Sequence, residues 1–258
     1  MKGEEAGAGG CLELKQKLKA ALASRRRVPM EAGPVPAAVL LPLFLKEGEL
    51  HLLFTKRTPH LTHHSGEISF PGGVCDPGDC DSADTALREA FEEVGIAPDD
   101  VEVLGELDDC HSIHNYLVTP VVGLFPSGYQ LTVNDAEIER IIEVPLSHFA
   151  KPGVFRVEDW QWQGKRRAMY FYIHGEDEIW GLTARILKQF LDVLNEREGG
   201  QDEFAKPDDS NTLRTIDRFS PRGTPGRTRI ESAADSRSRA AFSCSGACTA
   251  PRSGRGTR

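Results

Sequence analysis

Residues 69–96, SFPGGVCDPGDCDSADTALREAFEEVGI, contain the pattern around which the rest of the chain is organised. Apolar residues within this stretch recur at the spacing of one buried helical stripe. The stripe comprises Ala83, Ala86, Leu87, Ala90, Phe91 and Val94. Asp81 or Ser82 is suited to cap the start of such a helix, and Gly95 is suited to end it. The stretch therefore predicts an amphipathic helix with both of its ends marked.

Three glutamates share the polar sector of this helix. At about 100° per residue, Glu89 and Glu93 lie one turn apart on the flank nearest the buried stripe. Glu92 points further out and can pair with Arg88 one turn earlier. Like charges at this spacing destabilise a helix by roughly 0.2–0.5 kcal/mol per pair. Taken alone, the cluster is typical of a solvated acidic face, and a bound cation is the alternative.

The loop before the helix, Phe70-Pro71-Gly72-Gly73, favours the cation. A rigid turn and two residues without side chains bring the backbone close to whatever lies beside the acids. Hard divalent ions such as Mg²⁺ bind carboxylate oxygens and keep waters for substrate phosphates. The loop and the helix together predict two metal-binding glutamates and one supporting glutamate.

Gly73 followed by residues 88–96, REAFEEVGI, resembles the Nudix box, the metal-binding loop-helix-loop signature of the Nudix hydrolases. The loop between Gly73 and Arg88 is one residue longer than in the usual box. Cys80 stands where the box usually places its first glutamate, with Asp79 and Asp81 beside it. This longer, Asp-rich loop resembles the coenzyme A pyrophosphatase branch of the superfamily. The resemblance implies an α/β fold of the Nudix type, an α/β/α sandwich with a mixed, partly antiparallel sheet and a loop-helix-loop metal site.

Residues 53–73, LFTKRTPHLTHHSGEISFPGG, are similar to the motif that coenzyme A pyrophosphatases carry just before their Nudix box. The matched positions are Thr55, Arg57, Leu61, His64, Gly66, Phe70, Pro71, Gly72 and Gly73. Thr62 stands where many members have arginine. The resemblance implies that Arg57 and His64 bind substrate, and a guanidinium suits phosphate oxygens. A structural salt bridge at a strand end is the alternative for Arg57.

The resemblance to Nudix enzymes also implies an activity, hydrolysis of a diphosphate bond with Mg²⁺ or Mn²⁺. The expected roles are metal binding by Glu89, Glu93 and Gly73, catalysis by Glu92 and Glu137, and structural support from Arg88 and Gly72. Glu139 is the runner-up to Glu137 as the further carboxylate near the metals. Coenzyme A or its derivatives would be split into 3′,5′-ADP and 4′-phosphopantetheine species. ADP-ribose or NADH is the alternative substrate, and a non-catalytic nucleotide-binding module is disfavoured because all three glutamates are present.

Outside the box, runs of apolar and β-branched residues predict strands. The predicted strands span residues 37–43, 51–57, 101–107, 116–125, 140–145, 160–164 and 169–173. The first two would form a hairpin. A terminal helix is predicted to open at Glu178 and to run to about Asn195, since apolar residues follow helical spacing there.

Composition limits the function classes. The net charge of −8 and the pI near 5.5 favour a soluble enzyme that acts on small molecules and make nucleic acid an unlikely partner. No apolar run suits a membrane span, and six irregularly spaced cysteines favour a reducing cytoplasm over a disulfide framework or a zinc site. The oligomeric state stays open, with a homodimer as one option.

The predicted domain organisation has three parts. Residues 1–35 form an N-terminal extension with a short helix, residues 36–200 the Nudix domain, and residues 201–258 a disordered basic tail. The run Arg25-Arg26-Arg27 is interpreted as a solvated helix end in preference to a phosphate site. His60, His63 and His64 are interpreted as solvated loop residues in preference to a transition-metal site.

Overall fold

The computed structural model describes residues 15–25, 27–28, 35–59, 66–162 and 165–195. Within these residues, a mixed sheet contains eight strands. They are β1 (Val35–Lys46), β2 (Glu49–Arg57), β3 (Ile68–Ser69), β4 (Gly72–Val74), β5 (Glu102–Glu106), β6 (Cys110–His111), β7 (Tyr116–Leu124) and β8 (Ile138–Pro145). A second sheet contains β9 (Phe155–Trp162), β10 (Lys165–His174) and β11 (Asp177–Trp180). The helices are α1, described over residues 15–24, α2 (Ser82–Val94) and α3 (Gly181–Asn195).

Strand β1 is the centre of the larger sheet. It pairs antiparallel with β2 and β4 and parallel with β7. Its sequence, VPAAVLLPLFLK, is a nearly continuous apolar run, which is typical of a strand covered on both faces. Leu41 and Leu43 enter a core that includes residues of α1 and α3, whereas Ala38 and Leu40 enter a core shared with α2. Helices therefore cover both faces of a mixed sheet, which confirms the predicted α/β class.

The predicted hairpin between the first two strands is present. Lys46 pairs with Glu49, and the two intervening residues, Glu47 and Gly48, have φ angles of 54° and 81°. Positive φ at both central positions is the signature of a type I′ turn, which matches the twist of the flanking strands.

The start of the terminal helix was predicted wrongly. Residues 177–180 form β11, which pairs with β10 so that Phe171 lies opposite Trp180. Exposure alternates along this strand, with Glu178 exposed and Ile179 fully buried. Gly181, at φ 66°, marks the change of direction, and α3 begins there. The prediction extended the helical spacing of the later apolar residues back to Glu178, although residues 177–180 form a strand.

The first described part of the chain packs on the larger core. Leu18, Ala21 and Leu22 of α1 are buried there. A Cβ at Gly105 of β5 would lie 2.8 Å from Leu22 Cβ, so the absence of that side chain lets α1 lie against the strand. The domain boundaries near residues 35 and 200 stay predictions. The predictions for His60, His63 and His64, and for the tail at 201–258, lie outside the described residues.

The described residues bear on two sequence-based expectations, one about membrane spans and one about disulfides. None of the helices in the described ranges is long and apolar enough to cross a membrane. Cys80 is disulfide-bonded, whereas Cys75 and Cys110 are free thiols. One bonded cysteine among the described residues is not the disulfide framework that the sequence disfavoured.

Asp177 ties the smaller sheet to the larger one. Its carboxylate accepts hydrogen bonds from Arg140 Nη2, at 2.5 and 2.6 Å, and from Lys56 Nζ at 3.3 Å. Burial alone would raise the pKa of Asp177, but the hydrogen bonds from Arg140 and Lys56 outweigh it and hold the pKa below its ordinary value.

We expect Asp177→Asn to lower the free energy of unfolding at pH 7 by about 1–2 kcal/mol, since hydrogen bonds to a charged group are lost and Arg140 is partly solvated. A depressed carboxyl pKa contributes stability above the unfolded-state value of about 3.9, and that contribution disappears as the pH falls through the folded-state pKa. Urea unfolding of both proteins from pH 7 to pH 3 should show the deficit shrinking below about pH 4.

Asp159→Asn is the matched control, because Asp159 forms an exposed pair with Arg166. It should change stability by less than about 0.5 kcal/mol. A deficit in Asp177→Asn that stays constant down to pH 3 would contradict the assignment of the effect to the carboxylate charge.

Candidate functional site

Helix α2 carries the three glutamates, and both of its ends are fixed. Asp81 is the N-cap and accepts a hydrogen bond from the Asp84 amide at 2.9 Å, while the Asp84 side chain accepts one from the Cys80 amide at 3.1 Å. Two aspartates therefore satisfy main-chain amides at the start of the helix. Gly95 ends the helix in the left-handed conformation with φ 75°. The predicted caps are confirmed.

The buried face of α2 is rotated from the predicted stripe. Phe91, assigned to the stripe, is 55% exposed, whereas Glu93, placed beside the stripe, is 5% exposed. The reason lies in the neighbours of the helix, since α2 packs on β1, β4 and β7, and the main chain of β4 contains two glycines. The absence of side chains on that strand lets the Glu93 side of the helix approach the sheet.

Gly72 and Gly73 lie in β4 and not in the loop that the sequence predicted. A Cβ on Gly72 would lie 2.6 Å from Val39 Cα, and a Cβ on Gly73 would lie 2.6 Å from Glu89 Oε2. Side chains at these positions would therefore displace either the central strand or the Glu89 carboxylate. Gly72 is required by its close contact with the main chain of β1, and Gly73 brings the main chain next to the flexible carboxylate of Glu89.

Glu93 is a buried acid with incomplete partners. Its Oε1 lies 3.6 Å from Arg57 Nη1, and the Gly72 amide hydrogen-bonds to the carboxylate, but Oε2 is buried without a hydrogen-bond partner. Burial raises the pKa of Glu93 to about 8, with nearby Glu89 and Glu137 adding to the rise and Arg57 opposing it. A buried carboxylate oxygen without a donor is costly and is suited to a cation.

The other two glutamates of α2 differ in exposure. Glu89 has a side chain that is 17% exposed and accepts a hydrogen bond from Arg88 Nη1 at 2.8 Å. Burial raises the pKa of Glu89, although Arg88 opposes the rise. Glu92 is 55% exposed and lies 3.5 Å from Arg88 Nη1, as the helical spacing predicts. Glu89 and Glu93 therefore face the protein, and Glu92 faces solvent.

Arg88 joins the helix to the loop and to β4. Its Nε and Nη2 donate to Asp79 at 3.1 and 3.0 Å, and Nη2 also donates to the Val74 carbonyl oxygen at 3.0 Å. Asp79 accepts further hydrogen bonds from Thr85 Oγ1 and the Asp76 amide. Burial alone would raise the pKa of Asp79, but Arg88 and these donors outweigh it and lower the pKa.

Asp79 is a residue whose part the sequence analysis left undecided. Counting from Arg88 placed Cys80 at the position of the box's first glutamate, but Asp79 is the acid that binds Arg88, and Asp81 serves as the helix cap. The extra residue in the loop shifts the acid by one position. The Asp-rich composition of the loop was the signal for it.

Arg57 pairs with both Glu93 and Glu137. Arg57 Nη2 lies 3.5 Å from Glu137 Oε2, and Arg57 Nε is buried without a partner. The main chain of Glu137 is fixed, because its carbonyl oxygen accepts from the Thr58 amide and its amide donates to the Asn134 carbonyl oxygen. The Asn134 amide in turn donates to the Glu93 carbonyl oxygen at 2.9 Å.

The structure therefore brings most of the predicted site residues together. Arg57 links Glu93 to Glu137, and Arg88 links Glu89 to Glu92. Glu139 is exposed on β8, and His64 lies outside the described residues. In the part of the chain that the structure describes, no three histidine, cysteine, aspartate or glutamate side chains already form a metal-binding group. The carboxylates are held by two arginines.

Comparison with known proteins identifies the family. The NUDIX domain family matches residues 34–165, more than half of the chain. Nudix hydrolase NudL of Photorhabdus laumondii is 46% identical over 153 residues, which cover 59% of this chain and 81% of the relative. Chloroplastic Nudix hydrolase 22 of Arabidopsis thaliana is 39% identical over 176 residues, which cover 66% of this chain and 58% of that protein.

Among solved structures, a MutT/nudix family protein from Enterococcus faecalis aligns over 75% of this chain and 77% of its own, with 14% identity and a TM-score of 0.43. The extent of the domain match and the identity to NudL are sufficient to assign the family. This chain belongs to the Nudix family and is a Nudix hydrolase.

Proposed function

We propose that this Nudix hydrolase cleaves the diphosphate bond of coenzyme A or its derivatives, giving 3′,5′-ADP and 4′-phosphopantetheine species. The observation that carries the proposed chemistry is the Glu93 carboxylate, which is 5% exposed, has an oxygen without a hydrogen-bond partner and lies close to a second buried acid, Glu89. Two partly desolvated carboxylates beside the main chain of two glycines, Gly72 and Gly73, suit a divalent cation.

The residues present fit Mg²⁺ or Mn²⁺. Glu89 and Glu93 supply hard oxygen donors, and the Gly73 carbonyl is a third candidate ligand because Gly73 has no side chain to separate it from Glu89. When bound, the ion offsets the charge of the diphosphate and lowers the pKa of an attacking water. Nudix membership supports a divalent ion in general, and the choice between the two metals stays open.

The side chains around these glutamates have separable roles. Arg88 orients Glu89 through a hydrogen bond while Asp79 fixes the other side of the guanidinium. Glu92, on the solvent side of Arg88, would support that arrangement. Glu137 is half-exposed and is the candidate general base, since a base has to reach a solvent-derived water. Arg57 would bind phosphate oxygens through its planar donor group.

The choice of substrate rests on the motif in residues 53–73. Its described part places Arg57 within 3.6 Å of both Glu93 and Glu137, next to the candidate metal ligands. ADP-ribose and NADH are the alternative substrates within the same class of reaction. A non-catalytic nucleotide-binding module is the third possibility, and it would have no need for three box glutamates. A cytoplasmic location and a homodimer stay predictions.

A substrate panel tests the proposal. We expect purified protein with Mg²⁺ or Mn²⁺ to convert coenzyme A to 3′,5′-ADP and 4′-phosphopantetheine, with a higher kcat/KM than for ADP-ribose or NADH. Products are separated by ion-pair chromatography and identified by mass. Rapid cleavage of ADP-ribose while coenzyme A is left uncleaved would contradict the substrate assignment. Binding of all three compounds without turnover would favour the non-catalytic module.

Replacement of the buried glutamates should separate activity from stability. We expect Glu89→Gln and Glu93→Gln each to lower kcat by at least about 100-fold, because loss of a metal ligand removes several kcal/mol of transition-state stabilisation. In the presence of chelator, Glu93→Gln should be at least as thermostable as wild type, because burial opposes the charge of Glu93 and a neutral amide removes that cost.

Glu92→Gln is the matched control on the same helix, and its exposed position predicts a smaller loss of kcat. Metal binding measured by isothermal titration calorimetry should weaken most for Glu89→Gln and Glu93→Gln. Near-wild-type activity in both buried variants, or a larger loss for Glu92→Gln, would contradict the assignment of ligands.

The candidate base is tested by the pair Glu137 and Glu139. General base catalysis contributes about 10²–10⁴-fold, so Glu137→Gln should lower kcat within that range with little change in KM. Glu139→Gln, two residues further on the exposed side of β8, should retain most activity. The opposite ranking of the two variants would assign the role to Glu139.

A further inference from the structure

Arg27, which precedes the family match, forms ion pairs with acids on β5 and just after it. Arg27 Nη1 lies 2.5 Å from Glu106 Oε2, and Nη2 lies 2.7 Å from Asp109 Oδ1 and 3.0 Å from Thr119 Oγ1. The family match begins at residue 34, so Arg27 lies outside it. The interpretation of the basic run as a solvated helix end was wrong for Arg25 and Arg27, which both pair with acids.

One of the two acids that pair with Arg27 is buried, so the pairing is not confined to the protein surface. The Asp109 side chain is 2% exposed and also accepts a hydrogen bond from Thr119 Oγ1 at 2.8 Å. Burial alone would lower the pKa of Arg27, but Glu106 and Asp109 outweigh it and raise the pKa, so Arg27 stays charged. A buried carboxylate depends on its counter-ion, because breaking one side of such a pair leaves an uncompensated charge.

Glu106 hydrogen-bonds to both Arg27 and α2. Its Oε2 accepts a hydrogen bond from Arg27 Nη1, and its Oε1 accepts one from Ser82 Oγ. Ser82 is the first residue of α2 and follows the capping residue Asp81. One carboxylate on β5 therefore fixes the N-terminal segment and the start of the glutamate helix together.

We infer that Arg27 is a positioning residue for the glutamates of α2, acting through Glu106 and Ser82. A helix rises about 1.5 Å per residue, so Glu89 and Glu93 lie roughly 10–17 Å from Ser82 along a rigid element. A change in the position of the first turn is carried to the carboxylates because α2 is continuous over residues 82–94. The effect on turnover rests on the proposed function, whereas the effect on the helix does not.

Arg25 provides a matched control within the same segment. Its Nη2 pairs with Asp108 Oδ2 at 2.7 Å, and Asp108 Oδ1 accepts a hydrogen bond from the Val28 amide at 3.0 Å. Arg25 and Asp108 also hold the segment against the sheet. Among the described residues, however, this pair is not hydrogen-bonded to Glu106 or Ser82. Arg25→Met therefore reports docking alone, and Arg27→Met reports docking together with the connection to α2.

The experiment compares Arg27→Met, Arg25→Met and Ser82→Ala in the full chain. Hydrogen exchange of the amides in residues 83–86, measured without substrate, should speed up in Arg27→Met and Ser82→Ala and stay at the wild-type rate in Arg25→Met. With coenzyme A, kcat should fall about 10-fold in Arg27→Met and in Ser82→Ala with KM within about twofold, since misplacement far from the chemistry can cost up to about 100-fold.

Two further variants make the result decisive. Arg27→Lys should restore part of kcat, since an ammonium keeps the charge but cannot bridge both acids as a guanidinium does. The double variant Arg27→Met/Ser82→Ala should lose no more than the larger single loss, because the two residues act along one connection. Equal effects of Arg25→Met and Arg27→Met would show docking alone and overturn the inference.

Unchanged exchange in Arg27→Met would also overturn it. If Arg27→Met does not fold, Ser82→Ala still tests the connection, because it leaves the Arg27–Asp109 pair intact, and wild-type exchange in Ser82→Ala would then refute the inference. Absence of turnover by the wild-type protein would count against the proposed function, and the exchange measurement would still decide the role of Arg27.

Discussion

The close approach of β1, β4 and α2 at two glycines is the constraint on which the site depends. Gly72 lies against Val39 on the central strand, and Gly73 lies against the Glu89 carboxylate. The central strand is paired on both sides, so Val39 cannot withdraw at low cost, whereas the Glu89 carboxylate is the flexible end of a side chain that Arg88 holds. The strand can therefore present only main-chain groups to the acids. A side chain at Gly72 would push β4 away from β1, and one at Gly73 would displace the Glu89 carboxylate.

That close approach also accounts for the unusual burial of Glu93. An acid on an exposed helix face would be solvated, and its charge would cost little. Here the helix is drawn towards β4, which removes water from the carboxylate, and Arg57 at 3.6 Å compensates only part of the loss. Burial therefore opposes the charged form of Glu93 at the position of a candidate metal ligand. Such a conflict between stability and local chemistry is characteristic of functional sites.

The sequence was sufficient for the elements that are determined locally. The caps Asp81 and Gly95, the hairpin at Glu47 and Gly48, and the outward direction of Glu92 follow from short-range rules, and the structure agrees with them. The exposure of Phe91 and the burial of Glu93 could not be predicted in the same way, because an ideal helical stripe does not show which neighbour lacks side chains. Strand β4 was missed because two glycines in a row indicate a loop unless the partner strand is known.

The N-terminal segment illustrates a different limit. Three basic residues after a short helix are typical of a solvated end, and the acidic partners of Arg25 and Arg27, on β5 and between β5 and β6, lie about 80 residues later in the chain. Because Asp109 is buried, removal of Arg27 would take away the charged partner of that carboxylate and should lower stability. The folded unit is therefore defined by where its buried charges are compensated. Arg27, which lies before residue 34 where the family pattern starts, contributes to that compensation.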